Sequence, residues 1–259
     1  NKKKKSSYKV QRGDKITIYN FNSLKNNTIK KNNKYTPTKK ELSSTADFFI
    51  ENNENFVVIN KPAGISVQSG TKSKRNILDI LRQTKEFAGF IPHAVHRIDK
   101  ETTGVLLVAK NRRYAQILTS LFRVRKINKT YLGIVVGEVQ NKSDVLEDYL
   151  IHYEGEKKIT TKAITRFNLL DSNNNYSLLE LHPETGRKHQ LRKQLLIYGH
   201  PILGDTKYKF INKNYNKKNF LMLHAYKINF SIDGIKYKFY AQPPLSFNKT
   251  LKEKYLRIF

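Results

Sequence analysis

Apolar and polar positions fall into several distinct rhythms along the chain. Phe56-Val57-Val58-Ile59 is an unbroken apolar run closed by Asn60-Lys61-Pro62-Ala63-Gly64, and it reads as a buried strand ending in a turn. Gly104 to Ala109 is a second run of the same kind. Between them, Ile77, Leu78 and Leu81 fit one helical face. Asn111 is suited to cap a helix in which Tyr114, Ile117, Leu118, Leu121 and Phe122 share a spacing, with Arg112, Arg113, Arg123, Arg125 and Lys126 elsewhere around it. Lys129 to Gly137 is β-branched, and a period of two places Tyr131, Gly133 and Val135 on one face. Strands are predicted over 163–169 and 176–182. A helix is predicted over 187–198, with Leu191, Leu195 and Tyr198 inward and Gly199 as its stop. A hairpin joins 228–232 to 235–240 through Asp233-Gly234. Strands outnumber helices without strict alternation, and no internal repeat is visible, so the expected class is α+β: a largely antiparallel mixed sheet flanked by helices.

Upstream of this unit the rhythm changes. Residues 9–19 alternate around Gly13-Asp14 and read as a turn plus a strand, whereas 20–44 are polar, rich in Lys, Asn and Thr, and without period. The expected organisation is therefore a remnant of a small domain over 1–20, a basic linker over 21–46 and the main domain over 47–259. Because the sequence starts with Asn, the remnant is expected to continue a domain that begins upstream.

Composition adds the sign of the partner. Of 259 residues, 49 are Lys or Arg and 21 are Asp or Glu, a formal net charge of +28 that attracts anionic partners, nucleic acid first. With 38% apolar residues the chain can bury a real core, so this is not a disordered polycation. Compositional drift toward Lys and Asn explains part of the surplus without changing its sign. No run approaches the roughly 20 apolar residues of a membrane span, and no basic amphipathic helix points to a membrane surface. The absence of Cys excludes disulfides, thiolate nucleophiles and Cys-ligated metals.

Two segments could carry chemistry. His96-Arg97-Ile98-Asp99-Lys100-Glu101-Thr102-Thr103-Gly104 packs charge immediately before an apolar strand. By residue type it is either a solvated loop or a site, and His93, His96 and Asp99 at intervals of three also allow a metal-dependent nuclease. Thr185-Gly186-Arg187-Lys188-His189-Gln190-Leu191-Arg192 enters a helix, where basic residues hold anions. No phosphate-cradling glycine loop, dinucleotide fingerprint or zinc-protease His pair is present.

The order of the segments is more informative than any one of them. Asn60-Lys61-Pro62-Ala63-Gly64, His96-Arg97-Ile98-Asp99 with 103–110, Lys129-Thr130-Tyr131, Thr185 to Arg192, and Gly199-His200-Pro201-Ile202-Leu203-Gly204-Asp205 together resemble the RluA family of pseudouridine synthases over about residues 47–247. Residues 8–19 further resemble the last turn and strand of an S4-type RNA-binding domain. The resemblance implies a pseudouridine-synthase-like catalytic domain that needs no cofactor or metal. It implies isomerisation of chosen uridines in RNA, most often large-subunit ribosomal RNA, by a monomer acting on RNA or pre-ribosomal particles. The compartment would be the cytoplasm if the source is bacterial, and otherwise a mitochondrial or plastid matrix. A family member that only binds RNA during ribosome assembly is the alternative.

By the same resemblance, Asp99 is the catalytic aspartate, acting as nucleophile at C1′ or as base at C2′. Arg192 would orient that carboxylate with its bidentate fork, and Tyr131 would lie against the target base and help remove the C5 proton. Arg97 would fill the place of the flipped uridine. Lys61, His96, Arg187, Lys188, His189 and Gln190 are expected to bind RNA. Lys193-Gln194 departs from the Val-His usual after the arginine, which is expected to alter how that helix packs or meets RNA.

Overall fold

The computed structural model describes residues 11, 13, 14, 35–70, 74–210 and 220–258. The chain divides into two compact units, Asn1–Lys34 and Tyr35–Phe259. In the first, Gln11 and Asp14 close a turn through Asp14 N–H to the Gln11 carbonyl (3.1 Å) and Gln11 N–H to the Asp14 carboxylate (2.8 Å). The strand expected after that turn lies outside the described residues.

The second unit starts twelve residues before the expected boundary at residue 47. Thr38 and Glu41 form a capping box on helix α1 (Lys39–Ser43). Tyr35 N–H donates to the Asp79 carboxylate at 3.0 Å, and Glu41 pairs with Arg75 at 2.6 Å. Nearly half of the segment expected to be linker, residues 35–46, thus belongs to the domain unit and is hydrogen-bonded to it. The T-x-x-E pattern was its signal in the sequence.

Among the described residues, ten strands form one sheet: β1 (Phe49–Asn52), β2 (Phe56–Lys61), β3 (His93–Ala94), β4 (Thr103–Ala109), β5 (Asn128–Val136), β6 (Ser143–Glu154), β7 (Lys157–Asn173), β8 (Tyr176–Pro183), β9 (Leu223–Ile232) and β10 (Ile235–Tyr240). Their order is β1-β2-β4-β9-β5-β8-β7-β6, with β3 added to β4 and β10 to β9. Every pairing is antiparallel except β4 with β9, which run parallel over Thr103–Gly104 and His224–Ala225. The expected α+β mixed sheet is therefore present. The sheet carries α2 (Ile77–Leu81), α3 (Arg112–Arg123), α4 (Gln190–Ile197) and α5 (Leu245–Glu253).

The continuous apolar runs of β2 and β4 are explained by burial on both faces. Val58 and Leu107 pack with Leu118 of α3 and with β9, whereas Val57, Ile59, Leu106 and Val108 pack with Ile77, Ile80 and Leu81 of α2. A third cluster joins Leu132 and Ile134 of β5 and Leu179 and Leu181 of β8 to Leu191 and Leu195 of α4 and to Phe247 and Leu251 of α5. Each such side chain contributes about 1.5–3 kcal/mol on leaving water. Two glycines set the approach of the site's loops. Gly104 (φ +109°) and Gly204 (φ +80°) each lie so close to the carbonyl of a neighbouring strand or loop, Ala225 and Phe220 respectively, that a Cβ would overlap it. Among the described residues, no helix is long and apolar enough to cross a membrane.

Candidate active site

Asp99 stands on the loop between β3 and β4, and buried polar contacts hold that loop from behind. His96 Nε2 accepts the N–H of Leu107 at 2.9 Å, and its ring stacks on Phe122 of α3 with centroids 4.5 Å apart. Burial, aided by the nearby Lys129 charge, pushes His96 down to about 3, so the imidazole is neutral with its proton on Nδ1. Lys61 is fully buried, and its ammonium donates to the carbonyls of Pro62, Ile65 and Lys100 at 2.7, 3.0 and 3.1 Å. Burial pulls it down to about 7 against the opposing influence of Glu101 and Asp99. Thr103 donates its hydroxyl to His224 Nδ1 at 2.8 Å, while His224 Nε2 donates to the Ala241 carbonyl at 2.9 Å.

Arg192 of α4 faces Asp99 from across the site, and its fork is divided between two carboxylates. Nη1 donates to Asp99 at 3.1 Å, whereas Nε and Nη2 form a bidentate pair with Asp205 at 2.7 and 2.8 Å. The expected bidentate grip on Asp99 is thus a single bond, and the bidentate partner is Asp205. Asp205 is fully enclosed, and it also accepts the backbone N–H groups of Lys207 and Tyr208 at 2.8 and 2.9 Å. Burial alone would raise its carboxyl; the Arg192 and backbone hydrogen bonds outweigh that and hold it below its ordinary range. Burial likewise opposes the Arg192 charge, but Asp205 and Asp99 raise its pKa further above the ordinary value. The Tyr208 ring covers the guanidinium, with Cζ 5.1 Å from its centroid.

His189 precedes α4 with φ +54°, a left-handed conformation costing about 1 kcal/mol or more. That turn carries its Nε2 to 3.7 Å from Asp99 Oδ1 while Nδ1 sits 2.9 Å from the Tyr208 hydroxyl. Burial lowers the imidazole pKa despite the pull of Asp99, and Arg192, Lys207 and Lys188 lower it further. His189 is therefore neutral near pH 7.

These groups open into a cleft of about 640 Å³ lined by Arg97, Asp99, Tyr131, His189 and Arg192, with Arg123, Arg125, Lys129, Arg187 and Lys188 around it. The Tyr131 hydroxyl is raised by burial and then by the Asp99 charge, so it is protonated at neutral pH. Lys129 is drawn down to about 8 by burial and by Arg125.

Of the residues singled out in the sequence, Asp99, Tyr131 and Arg192 meet in this cleft, as do Arg97, Arg187, Lys188 and His189. Three further residues expected to bind RNA have hydrogen-bond partners within the protein, and His96 and Gln190 also line the cleft. Lys61 spends its donors on three carbonyls, and the Nε2 of His96 is taken by Leu107. Gln190 is buried, accepting from Thr185 and Arg187 and donating to Ile164 and Thr165. Through these bonds all three help to build the site. Gln194, the departure beside Arg192, is also internal: it accepts from Thr165 at 2.7 Å and donates to the Leu146 carbonyl and Asp148 carboxylate at 2.9 and 2.8 Å. It fastens α4 to β6 and β7, while Lys193 donates to the Ile151 carbonyl at 3.0 Å. His93, His96 and Asp99 do not converge, and among the described residues no three His, Asp or Glu side chains form a metal-binding group. Asp205 and Tyr208 were missed, although Gly204-Asp205 lies in a quoted motif and a buried arginine with five donors calls for more than one carboxylate.

Comparison with known proteins gives a consistent identity. Residues 55–196 match the family described as RNA pseudouridylate synthase. The chain is 36% identical over 267 residues to a ribosomal large subunit pseudouridine synthase C of Rickettsia conorii, covering 96% of this chain and 86% of that protein. It is 32% identical over 200 residues to a tRNA pseudouridine synthase C of Haemophilus ducreyi, covering 69% of this chain and 82% of that one. The solved structure titled Human RNA Pseudouridylate Synthase Domain Containing 4 superposes with a TM-score of 0.72 at 25% identity, covering 84% of this chain and 96% of that one. With the carboxylate, arginine and tyrosine of its motifs gathered in one basic cleft on the matching fold, the chain belongs to the RNA pseudouridylate synthase family.

Proposed function

We propose that this protein isomerises uridines of large-subunit ribosomal RNA to pseudouridine, with Asp99 as the reacting carboxylate. The observation that carries the reading is Asp99 itself: a partly exposed carboxylate at the floor of a basic cleft, tethered by one hydrogen bond to an arginine whose other bonds go to a buried second carboxylate. One Asp99 oxygen is left for the sugar, either attacking C1′ or taking a C2′ proton. The C1′–N1 bond breaks, the base turns, C1′ bonds to C5, the C5 proton leaves and N1 gains one; nothing is oxidised or hydrolysed.

Tyr131 faces an electrostatic obstacle as the C5 base, since burial and the Asp99 charge both hold its proton in place. As a protonated phenol it can still relay that proton, passing its own on as it takes the one from C5 after the C1′–C5 bond has formed. Flipping the uridine costs a few kcal/mol, and Arg97, exposed on the same loop, supplies a planar cation to stack where the base was. The relatives named as large-subunit ribosomal enzymes favour that RNA as substrate, whether free or in pre-ribosomal particles. The reading extends to a protein that acts on its RNA as a monomer. The compartment is the one that holds such RNA, the cytoplasm of a bacterium or the matrix of an organelle.

The test is a transcript of bacterial large-subunit ribosomal RNA carrying tritium at uridine C5, incubated with the protein and a chelator, followed by mapping of pseudouridine. Label released to water with an intact strand and new pseudouridine supports the proposal. Binding without release would support the assembly-factor reading instead.

A further inference from the structure

A second recess, of about 480 Å³, adjoins the catalytic cleft. The two share Arg125, Ile127, Lys129, Pro183 and Glu184 as walls. Its size falls within the roughly 300–1,000 Å³ of small-ligand sites. Its floor is a row across four neighbouring strands. Lys227 of β9 is in register with Thr130 of β5, Thr130 lies 3.5 Å from His182 of β8, and His182 is in register with Arg166 of β7.

Glu184 is the only acid among the described lining residues, and it is taken by Arg166 at 2.6 Å. Lys227 instead stands 5.8 Å from the Tyr240 ring centroid. Arg125, Lys129 and Lys227 thus present positive charge with no carboxylate among the lining residues left to neutralise it. In the same wall, Asn229 Oδ1 is buried without a hydrogen-bond partner among the described residues. An acceptor left dry in this way is costly unless a donor reaches it.

Cations and an unfilled acceptor in one recess match a nucleotide, which brings phosphate oxygens for the first and a ribose hydroxyl or base amino group for the second. We propose that this recess holds a nucleotide neighbouring the target uridine in the substrate RNA, its phosphate on Arg125, Lys129 and Lys227 and a donor on Asn229. The proposal rests on the function proposed above and adds a subsite to it. Where that donor is a ribose 2′-hydroxyl, the recess also discriminates RNA from DNA.

Equilibrium binding of the full chain to an unmodified transcript of bacterial large-subunit ribosomal RNA, across a range of salt, tests it. Lys227→Ala is expected to weaken binding about fivefold and to reduce the log–log salt slope by about 0.7, one phosphate contact. Lys227→Arg should restore both. Asn229→Asp, of the same shape but anionic, should weaken binding more than Lys227→Ala, with thermal melting confirming that it folds. Lys252→Ala removes an equal charge from the exposed face of α5 and is expected to leave affinity at the wild-type value. Wild-type affinity in both Lys227→Ala and Asn229→Asp would overturn the subsite. So would an equal loss in Lys252→Ala, which would mean generic attraction only. Tritium release by the wild-type protein from the same transcript is read separately. Binding effects without release overturn the isomerase reading and leave a recess that binds RNA, whereas release without binding effects overturns the recess alone.

Discussion

The catalytic cleft contains two kinds of positive charge. Arg192 is almost enclosed and satisfied by three hydrogen bonds to Asp99 and Asp205 under the Tyr208 ring, whereas Arg97, Arg187 and Lys188 stand exposed at the margin. A charge removed from water must be paired, and pairing fixes geometry; one left in water keeps its freedom and acts through its field. The buried cation therefore sets where the carboxylate points, and the exposed ones set how strongly RNA is drawn in. Arg192, one of 49 Lys and Arg residues, is committed in this way to the catalytic geometry.

Breaking the buried half should have the larger effect. Asp205→Asn leaves Arg192 facing an uncharged amide in an enclosed site, and we expect about 3 kcal/mol of lost stability together with a strong fall in turnover. Denaturant unfolding and single-turnover tritium release measure the two. Arg192→Lys keeps the charge but cannot bridge both carboxylates, so turnover should drop about a hundredfold with RNA affinity nearly kept. Equal losses of rate and affinity would remove the distinction between the two kinds of charge.

At the exposed margin, Arg187→Ala with Lys188→Ala should act mainly on KM, with a shallower salt dependence and a smaller effect on kcat. The smallest effect concerns Lys129, which lies between the two groups in burial. Its ammonium is protonated below its lowered pKa of about 8 and neutral above it, so RNA affinity should fall modestly between pH 7 and pH 9. Lys129→Met should flatten that profile; an unchanged profile would place the pH dependence elsewhere.

What the sequence made legible follows from how local each signal is. The apolar runs of β2 and β4, the Asp233-Gly234 hairpin and the Asn111 cap, whose Oδ1 accepts the Tyr114 N–H at 2.9 Å, depend on neighbours a few residues away. All of β6, for which no strand was predicted, and the ends of β7 beyond 163–169 were hidden because Lys, Thr and Glu dilute the alternation on an exposed hairpin: Tyr149 and Tyr153 of β6 face solvent. In the site, motif order located Asp99, Tyr131 and Arg192. It did not reveal that Lys61 and Gln190 point inward, since a polar residue type does not say whether its partner is water or a carbonyl distant in sequence, such as Lys100 for Lys61. Asp205 was hidden for the same reason: its role is defined by Arg192, thirteen residues earlier in the chain.

The central claim is that Asp99 performs the chemistry while the surrounding cations bind and orient. Single-turnover tritium release from saturating RNA by Asp99→Asn, with the dissociation constant measured on the same transcript, tests it most directly. The amide keeps the shape and can still accept from Arg192, but supplies neither nucleophile nor base. Release should fall by about a thousandfold or more, near 4 kcal/mol in barrier, while affinity stays within about threefold of wild type. Release at the wild-type rate would contradict the account.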